Sequence, residues 1–260
     1  MKSKLFAKVM AACVSIMLVS GLTVSASTEK KESYVEKKGI TIEYFGHSSF
    51  GISNKDGMQI VTDPYDPMLG YKFPSISTNL LTVSHDHFDH NNVAAVESYE
   101  ELINTTTGSF KVDDIKVKGI STYHDGEQGA SRGTNTIYTY EINNIKVCHL
   151  GDLGHQLSKE QINSIGKVDV LMIPVGGFFT IESEDVISAI NSLDPKVVIP
   201  MHYVTETSWP VFEDYIAPVS DFTSRINSEG WTVNEVDNLT VTKQMLNTMK
   251  TKQVFVLDYK

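Results

Sequence analysis

The chain has 260 residues, of which 41% are hydrophobic and 21% charged, with 8 prolines and 17 glycines. That balance excludes collagen-like and disordered classes and suits one large domain or two small ones, whose core needs no disulfide staples. The 22 Lys and Arg against 32 Asp and Glu give a formal charge of −10, and Arg132 and Arg225 are the only arginines. A chain this acidic repels phosphate backbones, so a small-molecule substrate is expected rather than a nucleic acid.

Lys2, Lys4 and Lys8 precede an apolar run from Val9 to Val24, and Val24-Ser25-Ala26 supplies small residues for a signal peptidase. The pattern predicts a signal peptide over 1–26 and an exported protein, secreted or held in the cell envelope. Ser15, Ser20 and Gly21 interrupt the run, which is short for a membrane span, so no stable span is expected after cleavage. Cleavage would leave 19 basic against 32 acidic residues, a balance of −13, and would remove Cys13. Cys148 would then stand alone, and no intramolecular disulfide could form. Residues 27–39 are mostly charged and aperiodic and read as a flexible tether.

From Ile40 the pattern turns to short strands: Ile40–Phe45, Ser49–Ser53 and Met58–Thr62, the last two joined by the turn signal Asn54-Lys55-Asp56-Gly57. A proline-containing loop, Asp63–Thr78, leads to the apolar strand Leu80–Val83. A helix is predicted over Asn91–Tyr99, with Val93, Ala94 and Val96 facing inward. Strands follow at Ile115–Ser121, Thr136–Ile142 and Ile145–Leu150, the last two joined by Asn143-Asn144. Ser158 caps a helix that ends near Gly166, with Glu160 in its first turn. Strands at Val168–Ile173 and Lys196–Ile199 flank a helix over Glu182–Leu193, whose Val186, Ile187 and Ile190 share one face. A helix near Val219–Ser228 and strands near Trp231–Val236 and Gln253–Asp258 end the chain. Strands and helices interleave without repeats or a Gly-rich phosphate loop, which gives one α/β domain over 40–260 with two sheets.

The chemistry concentrates in Ser84-His85-Asp86-His87-Phe88-Asp89-His90, directly after a strand. So many polar groups are costly to bury unpaired, and imidazole is the commonest transition-metal ligand. If the chain leaves the strand extended, His85 and His87 point the same way and can share one ion, while Asp89 and His90 turn toward a second.

This His-x-His-x-Asp-His spacing resembles the metallo-β-lactamase superfamily. Further segments match that family's motifs in order: Thr62-Asp63-Pro64, Thr122-Tyr123-His124-Asp125, His149-Leu150-Gly151-Asp152 and Val198-Ile199-Pro200-Met201-His202. Gly46-His47-Ser48-Ser49-Phe50 and Ile173-Pro174-Val175-Gly176-Gly177 point to the compact hydrolases related to the L-ascorbate-6-phosphate lactonase group. The resemblance implies a four-layer αββα sandwich and a dinuclear site. In that site His85, His87 and His124 hold one ion, Asp89, His90 and His202 hold the other, and Asp152 bridges them. It further implies Zn²⁺, two per chain, with Mn²⁺ compatible with the oxygen ligands. Water activated to hydroxide between the ions would attack, Asp89 would orient it or carry a proton, and Asp63 would fix the histidine loop.

Other residues leave alternatives open. His47 suits either the site or a half-buried structural role, and His155 suits the pocket or the shell around the ligands. His149 and Cys148 alternate on a strand, where neither needs to be a ligand and the thiol is expected to be inert. Arg132 follows His124 closely and suits either a clamp for carboxylate or phosphate or an ordinary surface position. Phe178, Phe179, Tyr203 and Trp209 suit a pocket wall or core packing. The resemblance implies hydrolysis of an ester, lactone, phosphoester or amide. A β-lactamase and a mononuclear-iron sulfur-oxidising enzyme are the alternatives on the same fold, and a carboxylate at 152 disfavours the former. The sequence sets no oligomeric state.

Overall fold

The computed structural model describes residues 39–259. The predicted signal peptide and all but the last residue of the predicted tether lie outside them. Three strands, β1 (Ile40–Gly46), β2 (Ser49–Asn54) and β3 (Gly57–Thr62), form an antiparallel meander. β4 (Ser77–Val83) and β5 (Ser98–Asn104) extend it in parallel. Next come the antiparallel neighbours β6 (Gly108–Val112), β7 (Ile115–Tyr123), β8 (Thr134–Ile142) and β9 (Ile145–His149). Helices then alternate with strands: α1 (Lys159–Ile165), β10 (Val170–Pro174), α2 (Ser183–Leu193), β11 (Val197–Met201), α3 (Val219–Ser228) and β12 (Thr232–Val236). β13 (Leu239–Val241), α4 (Lys243–Thr248) and β14 (Gln253–Leu257) complete the domain. The strand order is β13-β1-β2-β3-β4-β5 in one sheet and β12-β14-β11-β10-β9-β8-β7-β6 in the other.

Period-two alternation decides which face each side chain takes. Ile42, Tyr44, Phe50, Ile52, Ile60 and Leu80 join a core shared with the second sheet, whereas Phe45, Val61 and Leu81 point to the opposite face. β10 and β11 are buried at every position, as parallel strands covered on both faces must be. α1, α2 and α3 pack on the second sheet, against β7, β10 and β12 respectively. Over the first sheet, Tyr65, Leu69, Tyr71, Val96, Phe212 and Ile216 form the outer cover. Short 3₁₀ turns at Pro67–Leu69 and Pro210–Asp214 carry part of it. The architecture is the αββα sandwich expected from the sequence, with a thin outer layer on that side.

The helix predicted over Asn91–Tyr99 is the clear error. A 3₁₀ turn at Val93–Ala95 is all that forms there, and the chain then runs as β5 along the edge of β4. Three small apolar residues bury too little to hold an isolated helix, while the open backbone of β4 offers a full ladder of hydrogen bonds and burial for Ile103. β6, β13 and α4 also escaped the sequence reading. The turn at Asn143-Asn144 is as expected: both residues have positive φ (52° and 61°), as a two-residue I′ hairpin requires.

Candidate metal centre

β3, β4, β7, β9 and β11 all end at the same rim of the sandwich, so the loops that follow them converge. After β4 the chain bends at once: the His90 and Asn91 N–H groups both donate to the His87 carbonyl (2.9 and 3.0 Å). His85 and His87 do lie side by side, with ring centroids 4.6 Å apart, but the curl of the loop brings them together rather than the extended backbone expected. His124 follows β7 and is held by its N–H to the Gly133 carbonyl (3.0 Å). Asp152 follows β9, where its N–H donates to Asn135 Oδ1 (3.0 Å) and Asn135 Nδ2 donates to the Leu150 carbonyl (2.9 Å). Gly151 permits this approach. It has φ +54°, and a Cβ there would lie 2.2 Å from Asn135 Oδ1 and 2.7 Å from Ser84 Cβ. His202 follows β11, and its N–H donates to the His47 carbonyl (2.7 Å) in the turn between β1 and β2.

Asp152 stands at the middle. Its Oδ2 lies 3.1 Å from His202 Nε2, 3.2 Å from His90 Nε2, 3.4 Å from His124 Nε2 and 3.8 Å from His85 Nε2. Potential ligand atoms fall into three overlapping groups, each within 4.8 Å: His85, His87 and His124; His47, Asp89, His90 and His202; and His85, His90 and Asp152. The structure thus brings together all seven ligands suggested by the resemblance and adds His47, whose Nε2 lies 3.2 Å from Asp89 Oδ2. The sequence match at Gly46-His47-Ser48-Ser49-Phe50 leaves His47 open between the site and a structural role. Its place beside Asp89 depends on the β1–β2 turn meeting the end of β11.

Burial works against charge on Asp152, but His202 and His90 beside it outweigh that and hold its carboxyl well below the usual range. Burial, with His90 nearby, pushes His85 down to about 2; burial, with His202 nearby, pushes His47 down to about 4. Both rings are therefore neutral and keep a lone pair to donate. His85 Nε2, His90 Nε2, His124 Nδ1, His202 Nδ1 and Asp152 Oδ1 are buried without a hydrogen-bond partner. Each such atom costs about 1–3 kcal/mol when left unpaired, and all five belong to residues of the three ligand groups, which fits metal ligation and does not fit a packed core. A set of imidazoles and carboxylates suits divalent transition ions.

Asp63 supports the loop as expected. Its carboxylate accepts the Ser84 N–H (2.8 Å), the Ser84 hydroxyl (2.6 Å) and His90 Nδ1–H (2.9 Å). Since a carboxylate only accepts, His90 Nδ1 carries a proton. Burial works against charge on this ring, but Asp152 and Asp89 outweigh it and hold the pKa well above its usual value, so Nε2 would ligate once an ion displaces its proton. Ser84 Oγ in turn takes His85 Nδ1–H (2.9 Å), which orients that ring likewise. His155 lies outside the ligand groups: its Nε2 accepts the Tyr123 N–H (3.2 Å) beside His124. His149 is buried under the site, with Nε2 on the Ser48 carbonyl (2.8 Å) and Nδ1 accepting the Gly151 N–H (3.1 Å). Burial raises the Cys148 thiol to about 12, as an inert core cysteine requires. Tyr203 is a core residue against Tyr44. The sequence reading passed over Asn135, a buried asparagine in β8 whose role depends on strand pairing.

Comparison with known proteins agrees with this geometry. Residues 41–202 match the family model described as a β-lactamase superfamily domain. The UPF0173 metal-dependent hydrolase of Desulforamulus reducens is 28% identical over 65% of this chain and 86% of its own length. That of Nanoarchaeum equitans is 31% identical over 66% of this chain and 86% of its own. Among solved structures, a candidate Zn-dependent hydrolase of the metallo-β-lactamase superfamily from Thermotoga maritima is 32% identical. It covers 85% of this chain and 100% of its own, with a TM-score of 0.67. With the family match running from β1 to His202, the chain belongs to the metallo-β-lactamase superfamily.

Proposed function

We propose that this protein is an exported metal-dependent hydrolase that binds two divalent ions, Zn²⁺ or Mn²⁺, and cleaves an ester, lactone, phosphoester or amide in a small molecule. The observation that carries this reading is Asp152, whose one carboxylate oxygen lies within 3.1–3.8 Å of four imidazole nitrogens on three loops. His85, His87 and His124 would hold one ion, Asp89, His90 and His202 the other, and Asp152 would serve both. An ion pair of this kind acidifies water and polarises the bond to be cut. Asp89 is the more open of the two site carboxylates, with its side chain 13% exposed against 2% for Asp152, so it is placed to carry a proton toward a leaving group. His47 holds that carboxylate in place, and Asp63 keeps His90 in the ligating tautomer. The hydrolase names of the relatives support the reaction class. The basic start and apolar run over 1–26 support export.

The test is elemental analysis of the purified protein together with a panel of lactone, phosphodiester, neutral ester and cephalosporin substrates, with and without chelator. Two ions per chain are expected, with hydrolysis outside the cephalosporin arm that chelation abolishes and Zn²⁺ or Mn²⁺ restores. A single iron with no hydrolysis of any substrate would turn the reading toward oxidation. For export, N-terminal sequencing of material secreted by the producing cells should begin at Ser27; Met1 would overturn it.

A further inference from the structure

Five exposed or half-buried aromatic side chains gather beside the metal centre. Phe88, within the histidine loop, is 43% exposed and meets Trp209 at 6.5 Å between ring centroids. Trp209 leads to Phe212 (5.8 Å), which is stacked on the His47 ring at 5.8 Å. From Phe212 the contacts continue to Phe179 (6.1 Å), then to Phe178 (4.7 Å) and Tyr215 (4.9 Å from Phe178). Phe178 and Tyr215 are 47% and 48% exposed. Phe178 also has φ +52°, a backbone state that bulky side chains avoid and that, where it persists, clusters at functional sites. The adjacent loop buries the Thr180 hydroxyl with no hydrogen-bond partner.

Arg132 sits on this wall. Its guanidinium carbon lies 5.5 Å from the centre of Phe179 and 5.8 Å from that of Phe178, within cation–π range. Among the described residues its guanidinium meets no carboxylate, whereas the other arginine, Arg225, pairs with Glu184 (3.2 Å). A lone guanidinium in so acidic a chain is unusual, and its backbone is fixed. The Asp125 carboxylate accepts four N–H groups, from Glu127 and Gly129 (2.8 and 2.7 Å) and from Ser131 and Arg132 itself (2.9 and 2.7 Å). The loop is therefore built to present Arg132, pre-organised, with its flat donor edge left unpaired.

We infer that Arg132 and the rings of Phe178, Phe179 and Tyr215 form a subsite that selects a part-apolar substrate carrying a carboxylate or phosphate. The rings take the apolar portion, the guanidinium takes the oxyanion in a forked, charge-assisted contact, and the scissile bond reaches toward His47 and the metal ligands. This assignment rests on the hydrolase reading for what becomes of the bound molecule, but not for its binding.

Binding is measured by calorimetry on metal-loaded protein with three probes: 3-phenylpropanoate, benzylphosphonate and the neutral 3-phenylpropanamide. In Arg132→Ala the preference for either oxyanion over the amide should fall about 10–100-fold relative to wild type, the scale of a charged hydrogen bond. Arg132→Lys should recover part of it, Arg225→Ala should leave it as in wild type, and Phe178→Ala should weaken all three probes alike. A larger fall for the carboxylate or for the phosphonate identifies which oxyanion the subsite favours. An unchanged preference in Arg132→Ala overturns the inference, as does an equal loss for the amide or a wild type that binds none of the probes. The lactone, phosphodiester and neutral ester panel, run on wild type, reports separately on the reaction class. Failure of every substrate in it with Arg132-dependent binding intact would remove the hydrolase reading and leave the subsite.

Discussion

At the end of the sandwich away from the histidines, the residues with left-handed backbone include Gly57, Asp113, Asn143, Asn144, Gly166 and Asp194. In the loops at the histidine end they include Gly46, His47, Asp63, Gly129, Gly133, Gly151, Gly177, Phe178 and His202. The first set consists of residue types that adopt this conformation at little cost, each in a turn between neighbouring elements. In the second set the glycines, Asp63 and the two histidines are also types found in this conformation, and Phe178 is the bulky exception that avoids it. The sharper contrast is in polar atoms. The far end has ordinary exposed turns, whereas the near end buries unpaired imidazole nitrogens and a carboxylate oxygen. One end is shaped by local backbone preference; the other is held by contacts between loops distant in sequence that bury polar atoms without partners, as a site built for a ligand requires.

The hardest test of that contrast is Asp152→Ala. The imidazoles would lose their shared carboxylate, so the variant should hold about one ion tightly and the second weakly, and hydrolysis should fall by about two to three orders of magnitude. Elemental analysis and kcat check it; two retained ions with full activity would break the shared-carboxylate arrangement. Next in size, Asp63→Ala leaves His90 Nδ1 and Ser84 without their acceptor. It should weaken metal binding by about 10–100-fold in competition with a chelator, while the direct ligands remain.

Two substitutions compare the ends directly. Gly151→Ala places a Cβ 2.2 Å from Asn135 Oδ1 in a left-handed residue and should cost about 1–3 kcal/mol in urea unfolding. Asn144→Gly, at the opposite turn, should shift stability by less than about 0.5 kcal/mol. If both changes cost the same, the close approach assigned to Gly151 is wrong.

The smallest effect at neutral pH lies between the ends, in β9. Burial raises the Cys148 thiol from an ordinary 9.0 to about 12. Unfolded chains therefore release this proton near pH 9 while the folded chain retains it. The stability contributed is complete below pH 9 and is lost as pH rises toward 12. Native protein at pH 8 should leave Cys148 unmodified by a thiol reagent, as read by peptide mass analysis, and denatured protein should be modified there. Labelling of the native thiol would place β9 outside the dry core.

Much of the fold was legible in the chain because its signals are local. Alternation in β1–β4 separates Ile42 and Ile60 from Phe45 and Val61, Ser158 and Gln161 make the capping box that starts α1, and Asn143-Asn144 specifies its hairpin. The predicted helix at Asn91–Tyr99 failed because the choice between a weak helix and an edge strand belongs to β4, which supplies the partner backbone.

The site divides the same way. The sequence alone determined that imidazoles and carboxylates concentrate after β4, since residue type and spacing carry that chemistry, and the ordered motifs marked Asp63, His124, Asp152 and His202. Only the tertiary structure decided that Asp152 lies among four imidazoles, that His47 joins Asp89, and that Arg132 rests on Phe178 and Phe179 without a carboxylate partner. The physical reason is range. Backbone preference and side-chain chemistry act within a few residues, but distances between loops are set by strand register and by the two sheets packing on a shared core, and no short stretch of the chain encodes these.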